Sequence, residues 1–411
     1  MQDKESKMNR RSFLKTVGAA GIGSVLAGKK IFAEPNEPNA PVAKETSMPQ
    51  VPRRMLGKTG VEVPVFSFGA MFNIMENQVH LPKTLQHGVG YWDTADCYAG
   101  GNSELGIGKF FKANPSKRKD VFLVTKACPP RTPEEMEKLL QRSLKRMETN
   151  YIDLYFLHGM KTGAELTDDV HKWVDGAKKR GLIRFFGFSV HKNMPECLNA
   201  AAKAGWIDAL MTSYNFRLMQ DKQLNDAIEA CHQKGIGLVA MKTQGLKVEG
   251  GMTDADKKLV EHFTQQGFTE GQAKIKAVLT DQRIASANVG CPQLKYLTLG
   301  IAAVLDKTKL TQADMEVFRQ YAMASCNGYC AGCANICEEA LLGAPYVSDI
   351  MRYMMYYNSY GDRQQARELF AMIPQQAKEK LLSLDYKAIE ARCPQHLPIG
   401  RLVTEAMNKL A

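Results

Sequence analysis

The sequence has no long hydrophobic run and no dense block of charge of one sign. No stretch of its 411 residues approaches the roughly 20 apolar residues that a membrane-spanning helix needs, so we expect a soluble mature chain. The formal net charge is +11, of which residues 1–33 carry +5, and the remainder is spread without a lysine- or arginine-rich tract. Because a basic stripe interleaved with aromatic side chains is typical of nucleic-acid-binding surfaces, its absence argues against that class.

Composition and length are those of an ordinary soluble protein. The chain is 45% hydrophobic and 24% charged, with 33 glycines and 17 prolines. These fractions exclude wholesale disorder, collagen-like repeats and a coiled-coil architecture. At roughly 100–200 residues per domain, the length allows two or three domains, or one barrel with an appendage.

The first fifty residues have the composition of an export signal followed by a linker. Asn9–Lys15 (NRRSFLK) resembles a twin-arginine signal, and residues 16–28 form a short, weakly apolar stretch typical of a signal h-region. We predict a signal peptide over residues 1–33, read by the twin-arginine export machinery, and a periplasmic or otherwise exported location in a bacterium. The alternative is a disordered basic segment with an arginine pair by chance. Residues 34–52 contain five prolines and predict a linker.

Short β-rich apolar runs alternate with longer amphipathic stretches from about residue 53 to residue 305. Near-continuous apolar strands separated by helices indicate a parallel sheet that is covered on both faces. Eight such units in about 250 residues predict a (β/α)8 TIM barrel. An open doubly wound sheet is the alternative, but no strand is followed by a GxGxxG fingerprint. The predicted strands are Val63–Phe68, Tyr91–Thr94, Val121–Lys126, Ile152–Leu157, Arg184–Ser189, Ala209–Ser213, Gly237–Lys242 and Ala287–Gly290.

The carboxyl ends of these strands carry groups suited to acid catalysis, and in this fold the functional residues lie at that end. The groups are Asp93, Tyr98, Lys126 and His158. A neighbouring ammonium favours phenolate, so we expect Lys126 to lower the pKa of Tyr98 from its ordinary value of about 10. Such a site can protonate an oxygen while a hydride attacks the adjoining carbon, which predicts carbonyl reduction. Cys97 is expected to be a buried packing thiol, with redox sensitivity as the alternative.

The motifs around these residues resemble the aldo/keto reductase superfamily. They are LGKTG at 56–60, GVGYWDTADCYAGGNSE at 88–104, LVTK at 123–126 and DLYFLHG at 153–159. The resemblance implies Tyr98 as general acid, with Lys126 and Asp93 tuning it. It further implies that His158 orients the carbonyl of a small-molecule substrate. The hydride would come from NADP(H) or NAD(H) bound across the barrel mouth.

The same resemblance assigns cofactor binding to the ends of several strands. The residues at the matching positions are Gly69, Ala70, Met71, Ser189, Met211, Met241 and Lys242. Met211 stands where the family has glutamine, and no asparagine follows Ser189. The loop after the eighth strand lacks the basic cluster that usually binds a 2′-phosphate, with Lys295 the only obvious cation nearby. NADP(H) and NAD(H) are therefore both open.

Five of the ten cysteines lie beyond the predicted barrel. They are Cys326, Cys330, Cys333, Cys337 and Cys393. The first four form the run C-x3-C-x2-C-x3-C, and ferredoxin-type runs read C-x2-C-x2-C-x3-C-P. A branch of the aldo/keto reductases carries a similar ferredoxin-like tail. We predict one [4Fe–4S] cluster on Cys326, Cys330 and Cys333, with Cys337 or Cys393 as fourth ligand; zinc and disulfide bonds are the alternatives.

The chain is thus predicted to have four segments. They are the signal peptide (1–33), the linker (34–52), an aldo/keto reductase barrel (53–310) and a small helical ferredoxin-like domain (311–411). The leading hypothesis is an exported oxidoreductase that uses NADP(H) or NAD(H) to reduce a carbonyl. The alternative is an iron–sulfur electron-transfer or binding protein built on an inactive barrel, with a redox partner for its cluster.

Overall fold

The computed structural model describes residues 48–129, 132–245, 252–338, 340–341 and 345–411. The predicted signal peptide lies outside the described residues, as does the predicted linker up to residue 47. Export and twin-arginine recognition therefore stay predictions.

Eight parallel strands close into a barrel, which confirms the predicted fold class. The strands of the described residues are β1 (Arg53–Met55), β2 (Glu62–Pro64), β3 (Phe66–Gly69), β4 (Tyr91–Asp93), β5 (Phe122–Ala127), β6 (Ile152–Met160), β7 (Ile183–Val190), β8 (Ala209–Ser213), β9 (Gly237–Met241) and β10 (Ile284–Gly290). The barrel order is β10-β3-β4-β5-β6-β7-β8-β9, and β1 and β2 form a separate antiparallel pair.

All eight predicted strands are found; only Ala209–Ser213 has the predicted bounds, and two of the differences have a clear cause. The predicted first strand is divided at Val65, because β2 pairs antiparallel with β1 whereas β3 pairs parallel with β10 and β4. The last strand begins at Ile284, earlier than predicted, because that residue pairs with Leu238 of β9. Both differences come from pairing partners that are distant in sequence.

The amino-terminal end of the barrel is closed by apolar side chains. Leu56, which follows β1, and Val63 of β2 belong to the same buried cluster as Tyr91, Phe156 and residues of the other barrel strands. Gly237 leaves the room that Leu56 fills, since a Cβ there would lie 2.6 Å from the leucine side chain. The opposite end, where the strands finish, is therefore the end that can hold a site.

Helices cover the outside of the barrel. They are α1 (His80–Gln86), α2 (Asn102–Ala113), α3 (Pro133–Arg146), α4 (Asp168–Lys179), α5 (Met194–Ala204), α6 (Lys222–Gln233), α7 (Asp254–Gln265), α8 (Glu270–Thr280) and α9 (Leu294–Leu305). Several begin at a threonine whose hydroxyl accepts a backbone N–H, as Thr132 does from Glu135 and Thr167 from Val170. In the part of the chain that is described, no helix is long and apolar enough to cross a membrane.

The residues after the barrel form a helical tail with its own apolar core. Its helices are α10 (Gln312–Ala324), α11 (Ala334–Cys337), α12 (Val347–Met355), α13 (Arg363–Ala371), α14 (Gln375–Leu382), α15 (Lys387–Arg392) and α16 (Ile399–Lys409). Val347, Ile350, Phe370, Ile389 and Val403 are among the buried side chains of this core. The tail and the barrel nevertheless belong to one compact unit, Met48–Ala411.

The tail is held on the barrel mouth by polar contacts to the loops that follow β7 and β8. Lys192 makes ion pairs with Glu338 (2.7 Å) and Asp349 (3.3 Å). The buried guanidinium of Arg217 donates to the Ala322 carbonyl (3.1 Å) and to the Ser325 hydroxyl (2.8 Å). These contacts cover one side of the mouth.

Gly332 lets the tail backbone approach a barrel loop closely. Its φ is +81°, and a Cβ built there would lie 2.2 Å from the carbonyl oxygen of His191. The Gly332 carbonyl accepts the Asn193 N–H at 2.9 Å. Any side chain at this position would separate the two backbones.

We expect Gly332→Ala to destabilise the protein by about 2–4 kcal/mol, because it combines left-handed backbone strain with a steric clash that is worth about 1–3 kcal/mol. The free energy of unfolding from urea titration measures the effect.

Gly361→Ala is the matched control, since Gly361 has a similar φ of +70° in the tail but nothing within 4 Å of a built Cβ. It should cost only about 1–2 kcal/mol of backbone strain. Equal losses for the two variants would contradict the close approach at Gly332.

Candidate active site

A buried ion pair joins two neighbouring strands at the barrel mouth. Lys126 Nζ of β5 lies 2.8 Å from the carboxylate of Asp93, the last residue of β4. The ammonium also donates to the Thr94 carbonyl at 2.7 Å, and Asn288 of β10 donates to Asp93 Oδ2 at 3.0 Å. The two charged side chains are only 1% and 3% exposed, so water screens the pair very little.

Burial and charge act in opposite directions on this pair. Loss of water raises the pKa of Asp93 and lowers the pKa of Lys126, because each charged form is poorly solvated inside the barrel. The attraction between the two groups opposes both shifts. Each charge is therefore held in place by the other.

Tyr98 follows β4 and reaches the same ammonium. Its phenolic oxygen accepts a hydrogen bond from Lys126 Nζ at 3.3 Å. Burial and, next, the charge of Asp93 raise the pKa of Tyr98 well above its ordinary value. This direction is opposite to the predicted one, because desolvation of the phenolate makes the largest contribution. The phenol keeps its proton at neutral pH and can donate it.

His158, at the end of β6, completes the set of four predicted side chains. Its ring meets the ring of Tyr98 edge-on, with centroids 5.5 Å apart and planes at 82°. The structure thus brings Asp93, Tyr98, Lys126 and His158 together at one side of the mouth. A carbonyl oxygen placed beside Tyr98 would have a proton donor and an imidazole within one small space.

Two cysteines next to this set form a disulfide bond. Cys97 directly precedes Tyr98 and is bonded to Cys128, two residues after Lys126. The prediction of a buried packing thiol is wrong, because Cys97 is exposed. Sequence reasoning could have found the pair, since both cysteines follow the carboxyl ends of adjacent parallel strands.

The positions assigned to cofactor binding after β3 lie at the rim of the mouth. Gly69 ends β3, and a Cβ there would lie 2.9 Å from the Val289 carbonyl oxygen. Ala70 is buried, whereas Met71 is 40% exposed. This segment therefore presents backbone and one flexible side chain to the mouth.

The remaining assigned positions lie within or directly after β7, β8 and β9. Ser189 Oγ accepts the Gly159 N–H at 2.9 Å, and the Met211 sulfur accepts from Asn288 at 3.6 Å. Met241 ends β9, and Lys242 lines a pocket shared with tail residues. Burial and the nearby charge of Arg352 hold the pKa of Lys242 well below its usual range.

Four of the five tail cysteines line a single pocket. They are Cys330, Cys333, Cys337 and Cys393. Cys326 is not among the lining residues, so the structure groups Cys337 and Cys393 with the pair Cys330–Cys333 and leaves out the first cysteine of the run. Burial raises the pKa of Cys333 and of Cys337 to about 12. Among the described residues no imidazole or carboxylate lines the pocket, and a set of four thiols suits a soft metal.

Fold and mouth together define a TIM-barrel oxidoreductase, and comparisons with known proteins specify the family. Residues 69–292 match the aldo/keto reductase family. The chain therefore belongs to that family.

Several relatives and solved structures are similar to it. L-galactose dehydrogenase of Arabidopsis thaliana is 24% identical over 291 residues, covering 64% of this chain and 91% of the relative. The aldo-keto reductase yakc [NADP(+)] of Schizosaccharomyces pombe is 28% identical over 251 residues, covering 55% and 68%. Aldo-keto reductase AKR11C1 from Bacillus halodurans has the same fold, with a TM-score of 0.57 at 21% identity over 66% of this chain and 96% of that one.

We expect Lys126→Met to lower the free energy of unfolding by about 3–5 kcal/mol, because it leaves the Asp93 carboxylate buried without its partner. Urea titration measures this loss. In the double variant Asp93→Asn/Lys126→Met the loss should be much smaller than the sum of the two single losses.

Lys172→Met is the matched control, since its ion pair with Asp169 is more than three-quarters exposed. It should change stability by less than about 1 kcal/mol. Additive effects of the Asp93 and Lys126 substitutions would show that the buried pair is not a coupled unit.

Proposed function

We propose that this protein reduces the carbonyl of a small molecule, or oxidises the corresponding alcohol, with NADPH or NADH as hydride donor. The observation that carries the proposal is the Tyr98 phenol, whose oxygen lies 3.3 Å from an ammonium that is itself paired with a buried carboxylate. The phenol, as the acid, therefore lies beside the positive charge that would stabilise its phenolate. Membership of the aldo/keto reductase family supports the same reaction.

The residues of the chain supply the proton and hold the charge. Lys126 donates to the phenolic oxygen of Tyr98, so the phenolic hydrogen is left to point toward a substrate oxygen. As a hydride reaches the carbonyl carbon, the oxygen gains negative charge and takes this proton, which gives the alcohol. The phenolate that remains is stabilised by the ammonium of Lys126. His158 would orient the carbonyl oxygen beside Tyr98.

Two buried hydroxyls support a polar cofactor at the mouth. Ser213 Oγ and Thr243 Oγ1, at the ends of β8 and β9, have no hydrogen-bond partner among the described residues. A buried polar group without a partner costs free energy, which a hydrogen bond to a bound polar ligand would offset. When bound, the nicotinamide supplies the hydride. The residues that would hold it are Gly69, Ala70, Met71, Ser189, Ser213, Met211, Met241, Lys242 and Thr243.

We further propose that the pocket of the tail binds one [4Fe–4S] cluster through Cys330, Cys333, Cys337 and Cys393. Four thiols around one apolar pocket support this proposal, and Cys393 is followed by the proline typical of ferredoxin runs. This set differs from the predicted one, in which Cys326 was a ligand. Cys330 also lines the pocket that contains Lys242, so the cluster would lie against the barrel mouth.

Export by the twin-arginine machinery to the periplasm is part of the same proposal. That route carries folded proteins, so both groups would be inserted before transit. The electron-transfer alternative, with an idle barrel and a redox partner for the cluster, would gain support only from a protein that binds iron but neither binds nor oxidises a nicotinamide.

Tyr98→Phe should abolish carbonyl reduction, with a loss of turnover of at least about 100-fold, because the general acid is removed. Nicotinamide affinity should be nearly unchanged. Turnover is measured as the oxidation of NADPH and NADH with a panel of aldehydes, ketones, quinones and sugars. Nicotinamide affinity is measured by fluorescence titration.

Tyr91→Phe is the control, since Tyr91 is buried in the same barrel and its hydroxyl has no partner among the described residues. The Tyr91→Phe variant should keep the turnover of the wild type. Wild-type turnover in Tyr98→Phe would refute the assignment of the acid.

Cys330→Ser should deplete bound iron and bleach a broad brown absorbance, because one of four cluster thiolates is lost. Metal analysis of anaerobically purified protein measures iron and zinc together. Cys326→Ser, outside the pocket, should keep the full iron content.

Iron content that is unchanged in Cys330→Ser would remove the cluster proposal. One zinc per chain, with no iron, would assign the pocket to zinc instead.

A further inference from the structure

The disulfide bond at the barrel mouth touches the imidazole of the candidate site. Cys128 Sγ lies 3.0 Å from Nδ1 of His158, and Cys97 Sγ lies 3.6 Å from the same nitrogen. The three ligating atoms lie within 4.8 Å of one another. Two sulfur atoms whose redox state can change are thus in direct contact with the ring that would orient the substrate.

The backbone holds the two cysteines together without needing the bond. Asp96 Oδ1 accepts the N–H of Cys128 at 3.0 Å, and the Asp96 N–H donates to the Lys126 carbonyl at 3.3 Å. Arg142 pairs with the other carboxylate oxygen of Asp96 at 2.7 Å, and Arg146 donates to the Asp96 carbonyl at 2.8 Å. The loop and the strand end therefore keep their places whether the sulfurs are bonded or not.

The bond is open to exchange with external thiols. Cys97 is exposed, whereas Cys128 is partly buried against the imidazole. An external thiolate can attack Cys97 Sγ and form a mixed disulfide, while the Cys97–Cys128 bond breaks and Cys128 leaves as a thiolate that takes a proton. A second thiol of the external dithiol then releases Cys97. The protein gains two electrons and two protons, and the dithiol becomes a disulfide.

The two redox states offer His158 opposite hydrogen-bonding partners. A disulfide sulfur carries no proton and can only accept, so it favours the tautomer with hydrogen on Nδ1. Nε2, on the other side of the ring, is then an acceptor and repels a carbonyl oxygen. In the dithiol state the Cys128 S–H can donate to Nδ1, which places the hydrogen on Nε2 as a donor to the carbonyl.

We propose that Cys97 and Cys128 are a thiol–disulfide pair that sets the tautomer of His158, so that the dithiol form reduces carbonyls much faster than the disulfide form. The proposal rests on the proposed carbonyl reduction for its consequence, but the exchange and the tautomer are properties of the chain alone.

The test compares protein equilibrated with reduced dithiothreitol or with oxidised glutathione. Peptide mass spectrometry after alkylation should show a Cys97–Cys128 crosslink only in the oxidised sample. The 15N chemical shifts of His158, assigned by their loss in His158→Gln, should change from the Nδ1–H to the Nε2–H tautomer on reduction. Carbonyl-reducing kcat/KM should rise by about 10- to 100-fold on reduction, the effect of regaining one hydrogen-bond donor.

Two substitutions at one position separate this proposal from a structural role of the bond. Cys128→Ser and Cys128→Ala both prevent the crosslink, but only the serine hydroxyl can donate to Nδ1. The serine variant should keep the activity of reduced wild type, whatever the oxidant. The alanine variant should lose about tenfold, because it offers no donor. Cys326→Ser should still respond to oxidant as wild type does, which shows that the response does not come from that thiol.

Equal activity of the crosslinked and reduced proteins, or equal activity of the serine and alanine variants, would overturn the proposal. One zinc per reduced chain that is lost in His158→Gln would also overturn it and assign a metal site to these three residues. If neither redox form reduces any carbonyl, the proposed function is refuted. If the 15N chemical shifts of His158 are the same in both redox forms, the proposed switch is refuted independently of the activity.

Discussion

The ion pair between Asp93 and Lys126 is the constraint on which the site depends. Its two charges sit inside a barrel whose other end is filled by apolar side chains, so neither has water as an alternative partner. Each group is fixed by the need to remain paired, and Tyr98 is positioned by the same ammonium. Asn288 of β10 extends the network across the barrel, so closure of the last strand against the first also completes the site. Fold and site are in this sense a single cooperative structure.

The tail changes what this barrel can do at its mouth. Contacts from Lys192 and Arg217 hold it over the ends of β7 and β8, and Lys242 after β9 is enclosed by tail residues. The tail also reaches the segment after β3, where Gln365 donates to the Met71 sulfur at 3.8 Å. The proposed cluster pocket adjoins the mouth through Cys330.

Much of the barrel could be predicted from sequence, because apolar strands and amphipathic helices are local patterns. The four residues of the site could be predicted as well, since the fold brings strand ends together whatever the loops do. The pKa of Tyr98 could not, because it depends on how deeply the phenol is buried. Cys326 was grouped with its neighbours by spacing alone, whereas the tail's packing brings Cys393 to the pocket from far along the chain. The pairing of Cys97 with Cys128 is different, since it follows from the adjacency of β4 and β5 and could be predicted.

The docking of the tail on the barrel loops has an evolutionary consequence. Loops that hold the tail are limited by backbone contacts such as the one at Gly332, where no side chain fits. Insertions there would undock the tail, so the loops that follow β7 and β8 are restricted in length. New substrate specificities must therefore arise mainly from other loops, which include those beside the acid, where mutations are most dangerous to activity.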